Sequence, residues 1–247
     1  MKVSVILPTY CERDNILDLI TAIENVLLPL EWETEIFVVD DNSPDGTADA
    51  VLAYRPKAGL ALRCHQRLHE RGLATAIQFG LQHATGDVLV VMDTDFNHDP
   101  VMIPQMVKFL EYYDLVIGSR FVMGGGMEDR RRYYYSLAYN LFVRMVLRLQ
   151  VQDNLSGFFA IRRDRLNILN QPEIFRGYGE YFIRLLFAAR QSGYRMLEVP
   201  VFYILRRHGE SKSRFFSMLR DYTGCVLSVW YHEKIRHRSL LVSTITK

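Results

Sequence analysis

The sequence is poor in cysteine and has no long hydrophobic run. Its three cysteines, Cys11, Cys64 and Cys225, are far apart in a chain of 247 residues and form no short pair of the kind that binds zinc. This predicts a reducing compartment with neither disulfides nor a zinc site. No run of about 18 apolar residues occurs, so we expect no membrane-spanning helix. Because a predicted strand begins at Val3, we also expect no signal peptide.

Internal repeats, low-complexity tracts and a dinucleotide-binding fingerprint are also missing. The three glycines at 124–126 lack the spacing and the strand context of such a fingerprint, which argues against a dehydrogenase. Hydrophobic residues make up 49% of the chain and charged residues 23%, which is typical of a globular protein. The length permits one large α/β domain, or one domain with an appendage.

The net charge of +2 hides an uneven distribution of charge. Residues 1–119 contain eight Lys and Arg against eighteen Asp and Glu, whereas residues 120–247 contain twenty-two against ten. An acidic half beside an arginine-rich half predicts a phosphate-bearing substrate. We expect no nucleic-acid partner, because no nucleic-acid motif is present and the acidic half would repel the polymer.

Apolar runs alternate with segments of helical periodicity through the first half of the chain. Strands are predicted at 3–7, 36–39, 61–64, 88–92 and 115–118. Helices are predicted after each of the first four strands, the first capped by Asp14 or Asn15. This alternation predicts an α/β fold with a doubly wound, mostly parallel sheet and helices on both faces.

The second half begins with a flexible hinge predicted at 124–126. Helices follow at 134–149 and 181–191, with a strand at 158–162 and an extended segment at 197–205. The tyrosines, leucines and arginines of 134–149 suit a membrane–water interface, or equally a helix packed on the sheet with solvated arginines. An amphipathic C-terminal helix at 215–231 could dock on the domain, on lipid or on a partner subunit.

Carboxylates follow three of the predicted parallel strands. Glu12 follows the first strand, Asp40 and Asp41 the second, and Asp93 and Asp95 the fourth. Because such strand ends lie along one edge of the sheet, these loops can converge on one ligand site. Carboxylate oxygens suit Mg²⁺ or Mn²⁺ and the diphosphate that such an ion carries. Taken alone, Asp93 and Asp95 could also be two solvated acids in a surface turn.

Residues beside this site are interpreted as structural. We expect His98 to be a solvated turn residue and Asp99 to cap a helix beside Pro100. Met106 is expected in the core, and His208 is expected to shape its loop.

Seven motifs together resemble those of the inverting family 2 glycosyltransferases, which have the GT-A fold. They are PTYCER at 8–13, DDNSPDGT at 40–47, GLATA at 72–76, MDTD at 92–95, GSR at 118–120, SGFF at 156–159 and RRHGESK at 206–212. Within that family the chain looks most like polyprenyl-phosphate sugar transferases of the dolichol-phosphate mannose synthase type. The resemblance extends over about residues 3 to 215.

The resemblance implies a role for each matching residue. The nucleotide would be held by Pro8, Tyr10, Glu12 and Asp41, and the divalent ion by Asp93, Asp95 and Asn97. The acceptor phosphate and the leaving diphosphate would be held by Arg120, Arg131, Arg206 and Lys212. Asp95, Arg120, Arg206 and Lys212 would carry the catalysis. Which of Arg130, Arg131 and Arg132 contacts phosphate stays open.

The resemblance also implies a reaction and its setting. A sugar would move from GDP-mannose or a UDP-hexose to a dolichyl or undecaprenyl monophosphate, with Mg²⁺ or Mn²⁺ as cofactor. The enzyme would bind peripherally to the cytoplasmic face of the membrane, with a homo-oligomer or a membrane-anchor subunit as further candidate partners. A glycan or small-molecule acceptor is an alternative, and so is a non-catalytic subunit that binds nucleotide sugar.

The same resemblance implies a division of the chain. Residues 1–123 would form the nucleotide-sugar-binding half and residues 124–212 the acceptor-binding half of one GT-A domain. Residues 213–247 would form the C-terminal amphipathic helix and tail. The segment 175–181 differs from the mannose-transferring members of the family, so the sugar stays open.

Overall fold

The computed structural model describes residues 1–204 and 215–233. Its strands are β1 (Lys2–Thr9), β2 (Glu33–Asp40), β3 (Leu60–Gln66), β4 (Val88–Val91), β5 (Leu115–Ser119), β6 (Gly126–Met127), β7 (Phe159–Arg162), β8 (Met196–Pro200) and β9 (Phe202–Tyr203). Its α-helices are α1 (Arg13–Leu27), α2 (Thr47–Ala53), α3 (Leu73–His83), α4 (Ile103–Phe109), α5 (Arg130–Leu147), α6 (Arg163–Leu166), α7 (Gln171–Ile174), α8 (Tyr181–Gln191) and α9 (Phe215–Tyr231).

A seven-stranded sheet in the order β3-β2-β1-β4-β7-β5-β8 forms the centre of the fold. Its strands pair in parallel except β7, which runs antiparallel to both β4 and β5. The predicted α/β class and the mostly parallel sheet are therefore confirmed. Because β7 comes from the second half of the chain, that half completes the middle of the sheet.

Both faces of the sheet are buried, as the continuous apolar runs predicted. On one face, Ile6 and Val91 join a core closed by α3, α5, α8 and α9. On the other, Val5 and Val90 join a core closed by α1 and α4. Every residue of β4 is buried, so this strand runs through the interior and delivers the residues that follow it to the edge of the sheet.

Several boundaries differ from the sequence-based predictions. Helix α1 begins at Arg13 with Glu12 as its N-cap, so neither Asp14 nor Asn15 occupies the N-cap position that was predicted for it. The predicted hinge at 124–126 leads directly into β6, which pairs in parallel with β9. Asp99 caps a short 3-10 turn through its bond from the Val101 N–H at 3.0 Å, as predicted.

The C-terminal helix α9 packs on the fold through its apolar side. The core shared with α5 and α8 contains Tyr222, Val226 and Val229. The hydroxyl of Tyr139 in α5 also lies 3.3 Å from Thr223 Oγ1. Within 1–204 and 215–233, no helix combines the length and the apolar character that crossing a bilayer requires.

Candidate active site

A cleft of about 240 Å³ opens at the carboxyl edge of the sheet. Its lining comes from the loops after β1, β2 and β4 and from the start of α3: Pro8, Thr9, Tyr10, Glu12, Asp41, Arg71, Gly72, Leu73, Ala76, Asp93, Thr94, Asp95 and Tyr178. The predicted convergence of the three acidic loops is thus present in the structure. Glu12, Asp41, Asp93 and Asp95 all face one cavity.

The loop after β1 is fastened to the loop after β2. Cys11 adopts a left-handed backbone conformation with φ 53°, and its N–H donates to Ser43 Oγ at 2.9 Å. The Glu12 N–H donates to Thr47 Oγ1 at 3.0 Å. Ser43 is held in turn by the buried carboxylate of Asp40. Asp40 therefore shapes the loop, whereas its neighbour Asp41 lines the cleft.

Asp41 is fixed by a buried arginine that the sequence did not single out. Arg67 Nε donates to Asp41 Oδ1 at 2.7 Å, and the Gly72 N–H donates to Asp41 Oδ2 at 2.7 Å. The Arg67 guanidinium also donates to the Gly72 carbonyl at 3.0 Å and to Thr75 Oγ1 at 3.0 Å. Both charged side chains are at most 6% exposed. This bonding locks the entrance of α3 against the end of β2.

Arg71 is a cation that lines the cleft beside the predicted nucleotide residues. Its guanidinium carbon lies 3.5 Å from the centroid of the Tyr10 ring, close enough for a cation–π contact. Arg71 directly precedes Gly72, and Arg67 lies five residues before it; they are two of only eight cations in residues 1–119. Their position beside the GLATA motif was the available sequence signal for both.

The loop after β4 presents Asp93 and Asp95 to the cleft. Asp95 accepts hydrogen bonds from the Asn97 backbone N–H at 3.2 Å and from its side-chain Nδ2 at 2.8 Å. The residue between them, Phe96, has a left-handed backbone with φ 61°. Asn97 is not among the residues that line the cleft, and it orients Asp95; its predicted role as a metal ligand stays a prediction.

His98 is fully buried, so the expectation of a solvated turn residue was wrong. Its Nδ1 accepts the Asp93 backbone N–H at 2.8 Å, and its Nε2 lies 2.6 Å from the Tyr203 hydroxyl. Burial lowers the pKa of His98 to about 4, although the nearby Asp95 carboxylate acts to raise it. The imidazole is therefore neutral near pH 7.

The carboxylates of the β4 loop suit Mg²⁺ or Mn²⁺ by their chemistry. Asp93 is 43% exposed, and Asp95 lines the same cleft. In residues 1–204 and 215–233, no group of three or more His, Cys, Asp or Glu side chains forms a metal cage. Mg²⁺ often binds through one or two carboxylates while waters and substrate phosphates complete its shell, and Asp93 and Asp95 fit that pattern.

Arg120 lies in a buried ion pair and not in the cleft lining. Its Nε and Nη2 donate to the two carboxylate oxygens of Asp153 at 2.7 and 2.6 Å. Burial opposes the charge, but Asp153 outweighs this and raises the pKa of Arg120. Glu198 holds the Asp153 N–H at 3.0 Å. The structure thus gives Arg120 a structural partner, and its predicted phosphate contact stays a prediction.

The other predicted phosphate ligands are not brought to the cleft by the described part of the chain. Arg131 is exposed on the first turn of α5, where Asp129 caps the helix. Arg206 and Lys212 lie outside the described residues. The cleft instead receives Tyr178, which belongs to the segment 175–181.

Known proteins resemble the chain in sequence. The model of the family described as Glycosyl transferase family 2 matches residues 4–168. The dolichol-phosphate mannosyltransferase of Pyrococcus furiosus is 36% identical over 86% of this chain, which spans 59% of that relative. The undecaprenyl-phosphate mannosyltransferase of Micrococcus luteus is 34% identical, over 86% of this chain and 87% of its own length.

Solved structures resemble the chain in fold. Glucosyl-3-phosphoglycerate synthase from Mycobacterium tuberculosis, in complex with Mn²⁺, uridine diphosphate and phosphoglyceric acid, has a TM-score of 0.68. The match covers 93% of this chain and 78% of that one at 21% identity. At this identity the likeness concerns the fold, and it agrees with the predicted GT-A architecture.

Proposed function

Because the chain belongs to glycosyl transferase family 2, we propose that it transfers a sugar from a nucleoside diphosphate to a polyprenyl monophosphate. The cleft supports this proposal, since it gathers Glu12, Asp41, Asp93 and Asp95 where a nucleotide sugar would bind. Two relatives at 34–36% identity are named as mannosyltransferases of dolichol and undecaprenyl phosphate. Mannose is therefore the first sugar to test, carried by GDP or UDP.

The donor would lie along the cleft from β1 to β4. Tyr10, Glu12 and Asp41 would hold the base and the ribose, beside Pro8. Asp93 and Asp95 would hold Mg²⁺ or Mn²⁺, which when bound neutralises charge on the leaving diphosphate. Arg71 is the described cation that lines this end of the cleft, and it would help to offset the charge of the nucleotide.

The reaction would need no strong base from the protein. A phosphate monoester has a second pKa near about 6, so the acceptor is mostly a dianion at neutral pH. One of its oxygens would attack the anomeric carbon while the bond to the nucleotide breaks, and the electron pair would leave on the diphosphate. The configuration of the sugar would invert. The protein would hold two anions together, and Arg131, Arg206 and Lys212 are proposed for that task.

Helix α5 supports attachment to the surface of a membrane. It exposes Tyr134, Tyr135 and Met145, each at least 64%, and its first turn carries three consecutive arginines at 130–132. Aromatic rings and long cationic side chains suit the boundary between headgroups and acyl chains. Such attachment would bring the cleft close to a lipid acceptor.

The attachment can be tested with a matched pair of variants. Met145→Glu should lower co-sedimentation with vesicles containing phosphatidylglycerol, because the charge would enter the apolar layer. Leu52→Glu, at a residue exposed to a similar extent (62% against 66%), should leave binding unchanged. Equal binding by both variants would contradict the proposed surface.

The transfer itself is tested with a panel of nucleotide sugars and either undecaprenyl or dolichyl phosphate. We expect glycolipid in the organic extract in the presence of Mg²⁺ or Mn²⁺. Asp95→Ala should give no transfer above background, whereas Asp99→Asn, which changes a cap outside the cleft, should keep it. Product found only in the aqueous phase would refute the lipid acceptor, and an active Asp95→Ala would refute the metal role.

A further inference from the structure

We propose that His98 is a positioning residue that holds the backbone of Asp93 and links the β4 loop to β9 through Tyr203. This inference rests on the proposed function, because it assigns His98 a task in preparing the metal site. The observation behind it is the series of hydrogen bonds from Asp93 through His98 and Tyr203 to Ser156.

The direction of each bond in this chain follows from the first. A backbone N–H can only donate, so Nδ1 of His98 must accept from Asp93 at 2.8 Å. The neutral ring then carries its proton on Nε2 and donates it to the Tyr203 hydroxyl at 2.6 Å. The hydroxyl proton is left for the Ser156 carbonyl at 3.1 Å. Each group in the chain has one consistent role.

Packing fixes the ring that makes these bonds. His98 is fully buried and stacks on Phe158, with 4.8 Å between the ring centroids and an angle of 14° between the ring planes. The ring of Tyr203 meets it edge-on at 5.2 Å. With one ring face covered and both nitrogens engaged, the imidazole has little freedom to turn.

These hydrogen bonds bear on the proposed metal site because they begin at a residue that lines the cleft. Asp93 lines the cleft, and its Oδ2 lies 3.8 Å from His98 Nε2. Tyr203 stands in β9, three residues before Arg206 in sequence. A single series of hydrogen bonds therefore connects the loop that would hold the metal with β9, which precedes Arg206 in the sequence. Partners that orient metal ligands commonly contribute about ten- to a hundredfold in metal affinity.

The test measures Mn²⁺ binding directly, by the loss of the free-ion electron paramagnetic resonance signal, with GDP or UDP present. His98→Phe keeps the ring but cannot accept the Asp93 N–H, so we expect binding to weaken about ten- to a hundredfold. His98→Asn places a carbonyl oxygen near the position of Nδ1 and should recover most of the affinity. Tyr203→Phe should give a smaller loss, since the Asp93 bond remains.

Tyr194→Phe is the control, because it removes another tyrosine hydroxyl bond, to the Arg165 carbonyl at 2.6 Å, away from the cleft. It should bind Mn²⁺ as the wild type does. If His98→Phe binds as tightly as the wild type, or His98→Asn no better than His98→Phe, the inference is overturned while the proposed function stands. If His98→Phe does not fold, unchanged binding by Tyr203→Phe overturns the link to β9. If the wild type binds no Mn²⁺ with either nucleotide, the proposed metal site fails and this inference with it.

Discussion

Replacing Arg67 by methionine should destabilise the protein and weaken nucleotide binding, because the buried carboxylate of Asp41 loses its ion-pair partner. Methionine fills much of the volume but cannot donate to Asp41. The Asp41 carboxylate now accepts from Arg67 and from the Gly72 N–H, and in the variant only the Gly72 N–H at 2.7 Å would remain. Asp41 is 6% exposed, so water cannot replace the lost guanidinium.

The size of the effect follows from the burial of the pair. Removing one partner of a buried ion pair typically costs about 3–5 kcal/mol, because the other charge is left unpaired. In a chain of this size, 1 kcal/mol shifts the melting temperature by about 2–4 °C. The Arg67→Met variant should therefore melt about 6–20 °C below the wild type. Because Asp41 lines the cleft, we also expect the nucleotide to bind at least about tenfold more weakly, which is 1.4 kcal/mol.

Two further variants separate the charge from the contact. Asp41→Asn in the Arg67→Met background removes the unpaired charge, so it should recover much of the stability but not the nucleotide affinity. Arg162→Met breaks the pair with Asp164, in which both side chains are more than 40% exposed, and should cost less than about 1 kcal/mol. The measurements are urea unfolding and calorimetric titration with GDP and UDP. An Arg67→Met free energy of unfolding within about 1 kcal/mol of the wild type would refute the reasoning.

Three other predictions follow from single contacts. Burial acts to raise the pKa of Glu35, but hydrogen bonds from a serine, a backbone N–H and an arginine lower this pKa below 4.5. The charged carboxylate therefore stabilises the fold above pH 4.5, and this stabilisation is lost as the pH falls through the lower pKa of the folded state. Urea unfolding should show that Glu35→Gln is less stable than the wild type at pH 7, with a smaller difference in acid. Gly80→Ala would place a Cβ in steric conflict with the Cγ2 methyl group of Ile6 in β1 and should lose about 1–3 kcal/mol of unfolding free energy. The exposed helical Gly224→Ala meets no atom within 4 Å and should gain slightly in unfolding free energy. Arg71→Ala removes the cation over the Tyr10 ring and should raise the donor KM about two- to thirtyfold without changing the acceptor KM; an unchanged donor KM would contradict the contact.

The sequence was sufficient to predict most of the residues that line one end of the cleft. Each of Pro8, Tyr10, Glu12 and Asp41 follows a short apolar run that forms a strand, and the order of the runs places these ends along one edge. Asp93 and Asp95 follow β4, a fully buried strand, and lie at the same edge for the same reason. Neighbours within a few residues, such as Asp99 and its helix cap, were also predictable, because they depend on local backbone geometry.

The roles of the arginines near the site could not be predicted from the sequence in this way. Arg120 looked like a phosphate ligand because it ends the GSR motif, yet its partner Asp153 is 33 residues away. Arg67 drew no attention in the sequence, since its importance comes from Asp41, 26 residues earlier. An arginine beside a carboxylate becomes an ion pair, and one beside an open cleft becomes a ligand. Only the neighbours in space distinguish the two.

Local sequence patterns by themselves determined the α/β class, the sheet edge that carries the carboxylates and the family, because apolar runs, turn residues and motifs are encoded by residues close together in the chain. The tertiary structure decided that β7 enters the sheet antiparallel between β4 and β5. It also decided that His98 is buried against Tyr203, 105 residues further on. These outcomes depend on which distant segments pack together, and burial then fixes whether a polar side chain meets water, substrate or another side chain.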